Sequence, residues 1–126
     1  MSTLENLLEI LRRIWQEMIV GLDEAEKEPV LRRLDEHRME FSWQGRTLLL
    51  NAWTKIVQRG KKGLVKFDDI QAIGIVENGG DEATYKVILQ IKRSANIHIG
   101  TTTEQVDASI AAAHLAKATG KSVCIL

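Results

Sequence analysis

The chain has 126 residues, 44% of them hydrophobic and 27% charged, a composition typical of one globular domain with its own core. Its 17 basic and 17 acidic residues balance, which argues against a nucleic-acid partner held by overall charge. The single cysteine, Cys124, excludes an internal disulfide and fits a reducing compartment. The sequence shows neither the pattern of a signal peptide nor that of an integral membrane segment, so we expect a cytoplasmic protein.

Residues 1–22 have the pattern of an amphipathic helix. Ser2 and Glu5 form an S-x-x-E capping box, which marks a helix start. A helix this apolar must bury its stripe inside its own domain, against a second copy or against a protein partner, and the pattern favours internal packing and an interface about equally. The candidate interface residues lie at four-three spacing and are Leu4, Leu8, Leu11, Trp15 and Met18.

The polar stretch 23–28 separates this helix from a short second helix, predicted to begin at Pro29. From His37 the hydrophobic period becomes two, as in a strand. The segment 52–60 fits either a helix or an extended strand, and the extended form is slightly favoured. We therefore divide the chain into an N-terminal helical segment, 1–36, and a sheet with a C-terminal helix, 37–126, in one compact unit. Strands are predicted over 37–43, 46–51, 63–67, 70–77, 84–92 and 96–100.

An alanine-rich helix follows the last of these strands and ends at Gly120, a residue that commonly ends helices. The spacing predicts that Val106, Ile110, Ala113 and Ala116 face the sheet, and it leaves Leu115 on the outside without an explanation. The predicted fold class is α+β, with an N-terminal amphipathic helix, an antiparallel sheet or partly open barrel, and a C-terminal capping helix.

Two stretches resemble small bacterial domains with a pleckstrin-homology-like fold. Residues 64–75, LVKFDDIQAIGI, are similar to their apolar-x-Phe-x-Asp-Ile junction between two strands. Residues 112–116, AAHLA, followed by Gly120, resemble their closing helix. The resemblance extends over about residues 39–120. It implies a scaffold that serves lipid, peptide and protein binders alike, and it implies no particular functional residues.

The sequence offers no catalytic residues, metal ligands or cofactor motif. The three histidines, His37, His98 and His114, lack the spacing of a zinc site, and Cys124 has no second cysteine beside it. His98 is interpreted as a solvated strand residue. The pair Asp68-Asp69 is more typical of a turn than of paired catalytic carboxylates. A small enzyme whose site assembles from scattered polar residues stays open as an alternative.

The glycine-flanked stretch 59–66 contains a cluster of basic residues that is a candidate binding site. Such a loop can present several cations, together with backbone N–H groups, to an anion. The alternative is a solvated hairpin tip whose lysines protect a sheet edge. The candidate anion-binding residues are Arg59, Lys61, Lys62 and Lys66.

The favoured function from sequence is a non-enzymatic binding or protein-interaction module. In this interpretation the N-terminal helix mediates self-association or docks a protein partner, and no cofactor takes part. The alternative function is the binding of an anionic small molecule or a phospholipid headgroup through the basic loop 59–66.

Overall fold

The computed structural model describes Ile10 and residues 28–126, and 51% of these residues lie in strands. Within 28–126 there are nine strands, one short 3₁₀ helix and one α-helix. Their bounds are β1 Val30–Arg33, β2 Arg38–Trp43, β3 Arg46–Asn51, β4 Ile56–Arg59, β5 Lys62–Lys66, the 3₁₀ helix Phe67–Asp69, β6 Ile70–Asn78, β7 Thr84–Ile91, β8 Ile97–Thr102, α1 Gln105–Thr119 and β9 Val123–Ile125.

The first sheet is an antiparallel meander with the strand order β1-β2-β3-β4-β5. Strand β2 alternates polar and apolar residues, and its apolar side is the buried one because a strand projects successive side chains to opposite faces. On this side of β2, Phe41 and Trp43 are buried and Met39 is half-buried. The same face continues across the sheet with Leu48, Leu50 and Val57.

The second sheet has the strand order β8-β7-β6-β9. Strands β6, β7 and β8 are antiparallel neighbours, whereas β9 joins β6 in parallel. The parallel pair is possible because α1 connects β8 to β9 and carries the chain back along the sheet. Strand β9 then runs in the same direction as β6. Ile73 pairs with Val123, and Ile75 pairs with Ile125. The inner face of this sheet buries Ile73, Ile75, Val87, Leu89 and Ile99.

Helix α1 packs against the core with a different face from the predicted one. Val106 is 67% exposed and Ala113 is exposed, so the predicted inward stripe is wrong. Leu115, which the prediction placed outside, is completely buried. The physical reason is that alanines occur all around this helix, so that the one large buried side chain decides the orientation. The buried residues are Ala108, Ala111, Ala112, Leu115 and Thr119.

The two sheets are joined at one point by a tryptophan, a glycine and a glutamine. The Trp43 ring, only 2% exposed, fills the space in which a side chain of Gly100 would lie. Next to it, Gln44 Nε2 donates a hydrogen bond to the carbonyl oxygen of Thr101 at 2.6 Å. The Thr101 N–H donates to Gln44 Oε1 at 3.4 Å. These contacts hold the β2–β3 turn against β8.

The predicted α+β fold class is wrong for the part of the chain that the structure describes. Residues 28–126 are mostly strand, form two separate sheets and close no barrel, although the C-terminal helix is present. The short helix predicted at Pro29 is also wrong, because Val30–Arg33 pairs with β2 as an edge strand. Pairing with a neighbouring strand outweighed the local helix-start signal. Apart from Ile10, the predicted helix over 1–22 lies outside the described residues.

The ambiguous segment 52–60 is a turn over 52–55 followed by β4, in line with the slightly favoured extended interpretation. Among the residues that the structure describes, no helix is both long enough and apolar enough to cross a bilayer.

Candidate anion-binding cleft

The four predicted anion-binding residues lie on the β4–β5 hairpin, at two different ends of it. Arg59 pairs with Lys62 at the tip, and Lys61 lies between them after Gly60, whose φ is +60°. Lys66 pairs with Ile56 at the other end. Lys66 lies four positions after Lys62 along the strand, a distance of about 13 Å. The hairpin therefore gathers three of the four cations and leaves Lys66 apart.

Arg59 lies together with cationic residues that sequence reasoning did not select. An open cleft of about 480 Å³ is lined by Gly45, Arg46, Thr47, Arg59 and His98. The residues come from the start of β3, the end of β4 and the start of β8, and so from both sheets. Among the described residues, none of those that line this cleft is acidic. We refer to it as the basic cleft.

Arg46 is positioned by the tight turn between β2 and β3. Gln44 and Gly45 have φ values of +53° and +71°, and Trp43 pairs directly with Arg46. Positive φ at both central residues is typical of the two-residue turn that matches the twist of a hairpin. This turn joins the two predicted strands 37–43 and 46–51. It places the Arg46 side chain at the first position of β3, beside the cleft.

His98 is positioned by an irregularity in β8. Val87 of β7 pairs with Gly100, and the next residue, Ile88, pairs with His98. Ile99 is therefore an extra residue of β8 that has no partner in β7. Such a bulge locally re-aims a side chain. His98 is exposed, as predicted, and its Nε2 lies 2.8 Å from Thr101 Oγ1. Thr101 thus connects His98 to Gln44 and the turn that carries Arg46.

The basic cleft is electrostatically open to an anion. The ion pairs within the described residues are Arg32–Glu40 and Arg38–Asp35, so neither Arg46 nor Arg59 has an acidic partner there. A guanidinium group stays charged at all ordinary pH values and presents its N–H groups as a fork that fits phosphate or carboxylate. The arrangement suits binding of a tetrahedral or planar anion.

A second cleft, of about 360 Å³, lies at the opposite end of the first sheet. Its most exposed apolar residue is Trp53, 75% exposed, whose ring centroid lies 4.8 Å from that of His37. Asn51 Oδ1 accepts the backbone N–H groups of Trp53 and Thr54, which holds the turn in shape. The cleft is lined by Asp35, His37, Arg38, Asn51 and Trp53.

Asp35 in this second cleft should titrate below the usual range for an aspartate. The hydrogen bond from the His37 backbone N–H, and then the Arg38 side chain, lower the pKa of the Asp35 carboxyl because both favour its charged form. With the folded pKa below the unfolded one, the stabilisation is full above the unfolded pKa and is lost as pH falls through the folded pKa. Carboxyl ¹³C shifts against pH should show this low midpoint, and Arg38→Gln should raise it. An ordinary midpoint in the wild type would contradict the prediction.

No metal centre accompanies either cleft within the described part of the chain, where no group of three or more His, Cys, Asp or Glu side chains converges. The candidate N-terminal interface of Leu4, Leu8, Leu11, Trp15 and Met18 lies outside the described residues. Self-association or partner docking through that helix therefore stays a prediction from sequence.

The function of the basic cleft has to be inferred from the residues that line it. The pleckstrin-homology-like resemblance of residues 39–120 stays a prediction, because nothing beyond the sequence pattern tests it. The sequence matches no protein-family model, no curated protein and no solved structure.

Proposed function

We propose that the protein is a non-enzymatic binding module that holds a phosphate-bearing anion in the basic cleft. The observation that supports this most directly is the approach of Arg46, Arg59 and His98 from three strands to a cleft in which none of the described lining residues is acidic. The shared ligand chemistry is a phosphate group, carried either by a soluble small molecule or by a lipid headgroup.

The roles of the lining residues follow from their chemistry. Arg46 and Arg59 offer paired N–H donors to the phosphate oxygens, and the Thr47 hydroxyl and Gly45 backbone add neutral donors at the rim. Lys61 and Lys62, on the adjoining hairpin tip, raise the local positive potential. Because the site is exposed, each contact contributes little and is screened by salt, so that binding is weak and sensitive to ionic strength.

Amide chemical shifts during titration with inositol trisphosphate at low salt test this proposal. We expect shifts at Arg46, Thr47, Arg59 and His98, with loss of binding in Arg46→Gln and Arg59→Gln and no change in their melting temperatures. Lys66→Gln is the matched control, since Lys66 carries the same charge at the far end of the hairpin and should leave binding intact. Unchanged affinity in both arginine variants would refute the proposal.

Vesicles separate the two sources of phosphate. A headgroup ligand predicts co-sedimentation with vesicles that contain phosphoinositide but not with vesicles of phosphatidylcholine alone, and the arginine variants should stay in the supernatant. A soluble ligand predicts binding of the inositol phosphate without co-sedimentation. Both results agree with a phosphate site, whereas vesicle binding that survives in the arginine variants does not.

A further inference from the structure

The four edges of the two sheets differ in how they are protected from pairing with another chain. An exposed edge strand offers free backbone groups, and proteins block such edges with charges, prolines or bulges. Strand β1 carries Arg32 and Arg33, strand β5 carries Lys62 and Lys66, and β8 contains its bulge. Strand β9, Val123–Ile125, has none of these devices, and it pairs with β6 without a register shift.

The β9 edge is also apolar and exposed. Val123 is 43% exposed, Ile125 is 79% exposed and Leu126 is 51% exposed. Val123 and Ile125 pair with Ile73 and Ile75, so they continue the apolar inner face of the second sheet into its edge strand β9. An uncharged, apolar strand end of this kind is suited to pairing with a further strand.

The backbone geometry determines the register of such a pairing. The Ile73 N–H donates to the Ser122 carbonyl at 2.9 Å, and the Leu126 N–H donates to the Ile75 carbonyl at 2.9 Å. Because successive residues of a strand direct their backbone groups to alternate edges, residues 122, 124 and 126 face β6. Val123 and Ile125 therefore direct their N–H and C=O groups outward, away from the sheet.

We propose that β9 pairs antiparallel with β9 of a second copy about a two-fold axis at Cys124. In this register the outward groups of Val123 meet those of Ile125 in the other copy, which forms two hydrogen-bonded pairs. The strand is complementary to itself because its outward donors and acceptors are symmetric about Cys124 and no like charges meet. The pairing joins the two four-stranded sheets into one continuous sheet. Because the β9 edge of each copy is then occupied by the other copy, no third copy can add there and the assembly stops at a dimer.

The proposed interface is independent of the basic cleft and differs from the N-terminal helix predicted from sequence. Because the strand is short, we expect a dimer whose fraction rises with concentration. Sedimentation velocity of the full chain should show this dimer and its loss in Ile125→Lys. Val106→Lys is the matched control, since it places the same charge on an exposed apolar residue of α1 and should dimerise like the wild type.

Three results in this series would overturn the proposal. They are a monomer at all concentrations, equal dimerisation of Ile125→Lys and the wild type, or loss of the dimer in Leu8→Asp without loss in Ile125→Lys. The last result would assign self-association to the N-terminal helix instead.

Disulfide trapping tests the register itself. Residues facing each other at a non-hydrogen-bonded position have Cα atoms about 4.5 Å apart, within the range of about 4.4–6.8 Å that a disulfide spans. Cys124 is the only cysteine, so a dimer trapped by copper-phenanthroline must join the two copies of this residue. We expect a band at dimer mass on non-reducing gels that disappears with reductant.

Two double variants control for disulfides that form by random collision of exposed cysteines. In one, Cys124→Ser is combined with Val123→Cys, and in the other with Ile125→Cys. The proposed register places residue 123 opposite residue 125 of the other copy, so a mixture of the two proteins should cross-link far more than either alone. Equal cross-linking of the mixture and of each single protein would contradict the register.

Discussion

Gly100→Ala is expected to destabilise the fold by about 1–3 kcal/mol, the usual range for overpacking a filled core. A Cβ at this position would lie 2.5 Å from Trp43 Cζ3, 2.6 Å from Trp43 Cε3 and 2.8 Å from Gln44 Oε1. The indole ring is buried between the two sheets and has no open space into which it can move, so the backbone of β8 must shift. The same shift would disturb the hydrogen bonds between Gln44 and Thr101.

Urea denaturation followed by tryptophan fluorescence measures this loss, with Gly79→Ala as the control. Gly79 lies in the exposed β6–β7 turn, and an added Cβ there meets no atom within 4 Å. Both variants add one methyl group to a glycine, so the comparison isolates the contact with Trp43. We expect a lower midpoint for Gly100→Ala only. Equal midpoints would show that the two sheets do not meet at this glycine.

Ala111→Leu is expected to cost about 1–3 kcal/mol, whereas Ala113→Leu should leave stability nearly unchanged. Ala111 is completely buried, in the face of α1 that also contains Leu115 and packs against both sheets. Because buried side chains are closely packed, the three additional carbons of leucine have to displace their neighbours. Ala113 is exposed, so its larger side chain extends into solvent.

The two variants share a helix, a starting residue and a substitution, so differences in helix propensity cancel. Thermal melts monitored by circular dichroism at 222 nm give the comparison directly. The orientation of α1 would be refuted if Ala113→Leu proved to be the destabilising change. That result would restore the helix face predicted from the sequence pattern.

Strands β6, β7 and β8 of the second sheet could be predicted well because their signal is local, whereas β9 was not predicted. Tyr85, Val87, Leu89 and Ile91 alternate with polar residues in all but one position, and β-branched residues pack well on a pleated surface. Their predicted strand, 84–92, agrees with the observed β7, Thr84–Ile91. The division into two sheets could not be predicted, because it depends on contacts between residues far apart in the chain.

The prediction of which face of α1 packs against the core was wrong for a different reason. Alanine is small enough for a buried or an exposed position, so a helix with alanines on every side has little hydrophobic asymmetry. The prediction gave Val106 and Ile110 more weight than Leu115, and Val106 proved to be exposed. A large side chain in the middle of such a helix was the better guide to its packing.

The basic cleft was predicted only in part, through Arg59. Arg46 and His98 are isolated in sequence, and no motif relates them to the 59–66 loop. They approach Arg59 because a two-residue turn and a bulge place them at one end of the two sheets. A sequence pattern reports neighbours along the chain, whereas this cleft depends on how two sheets are placed against each other.

The parallel pairing of β9 with β6 has a consequence for the order in which the fold forms during synthesis. Within the described residues, every other strand pair joins consecutive strands, so each can close as soon as its second strand has emerged from the ribosome. The pairing of β6 with β9 is delayed instead, because β7, β8 and the whole of α1 are synthesised before residues 123–125. Throughout that interval the outer edge of β6 carries unpaired backbone groups. The nascent chain is therefore most vulnerable to wrong association shortly before its last strand arrives.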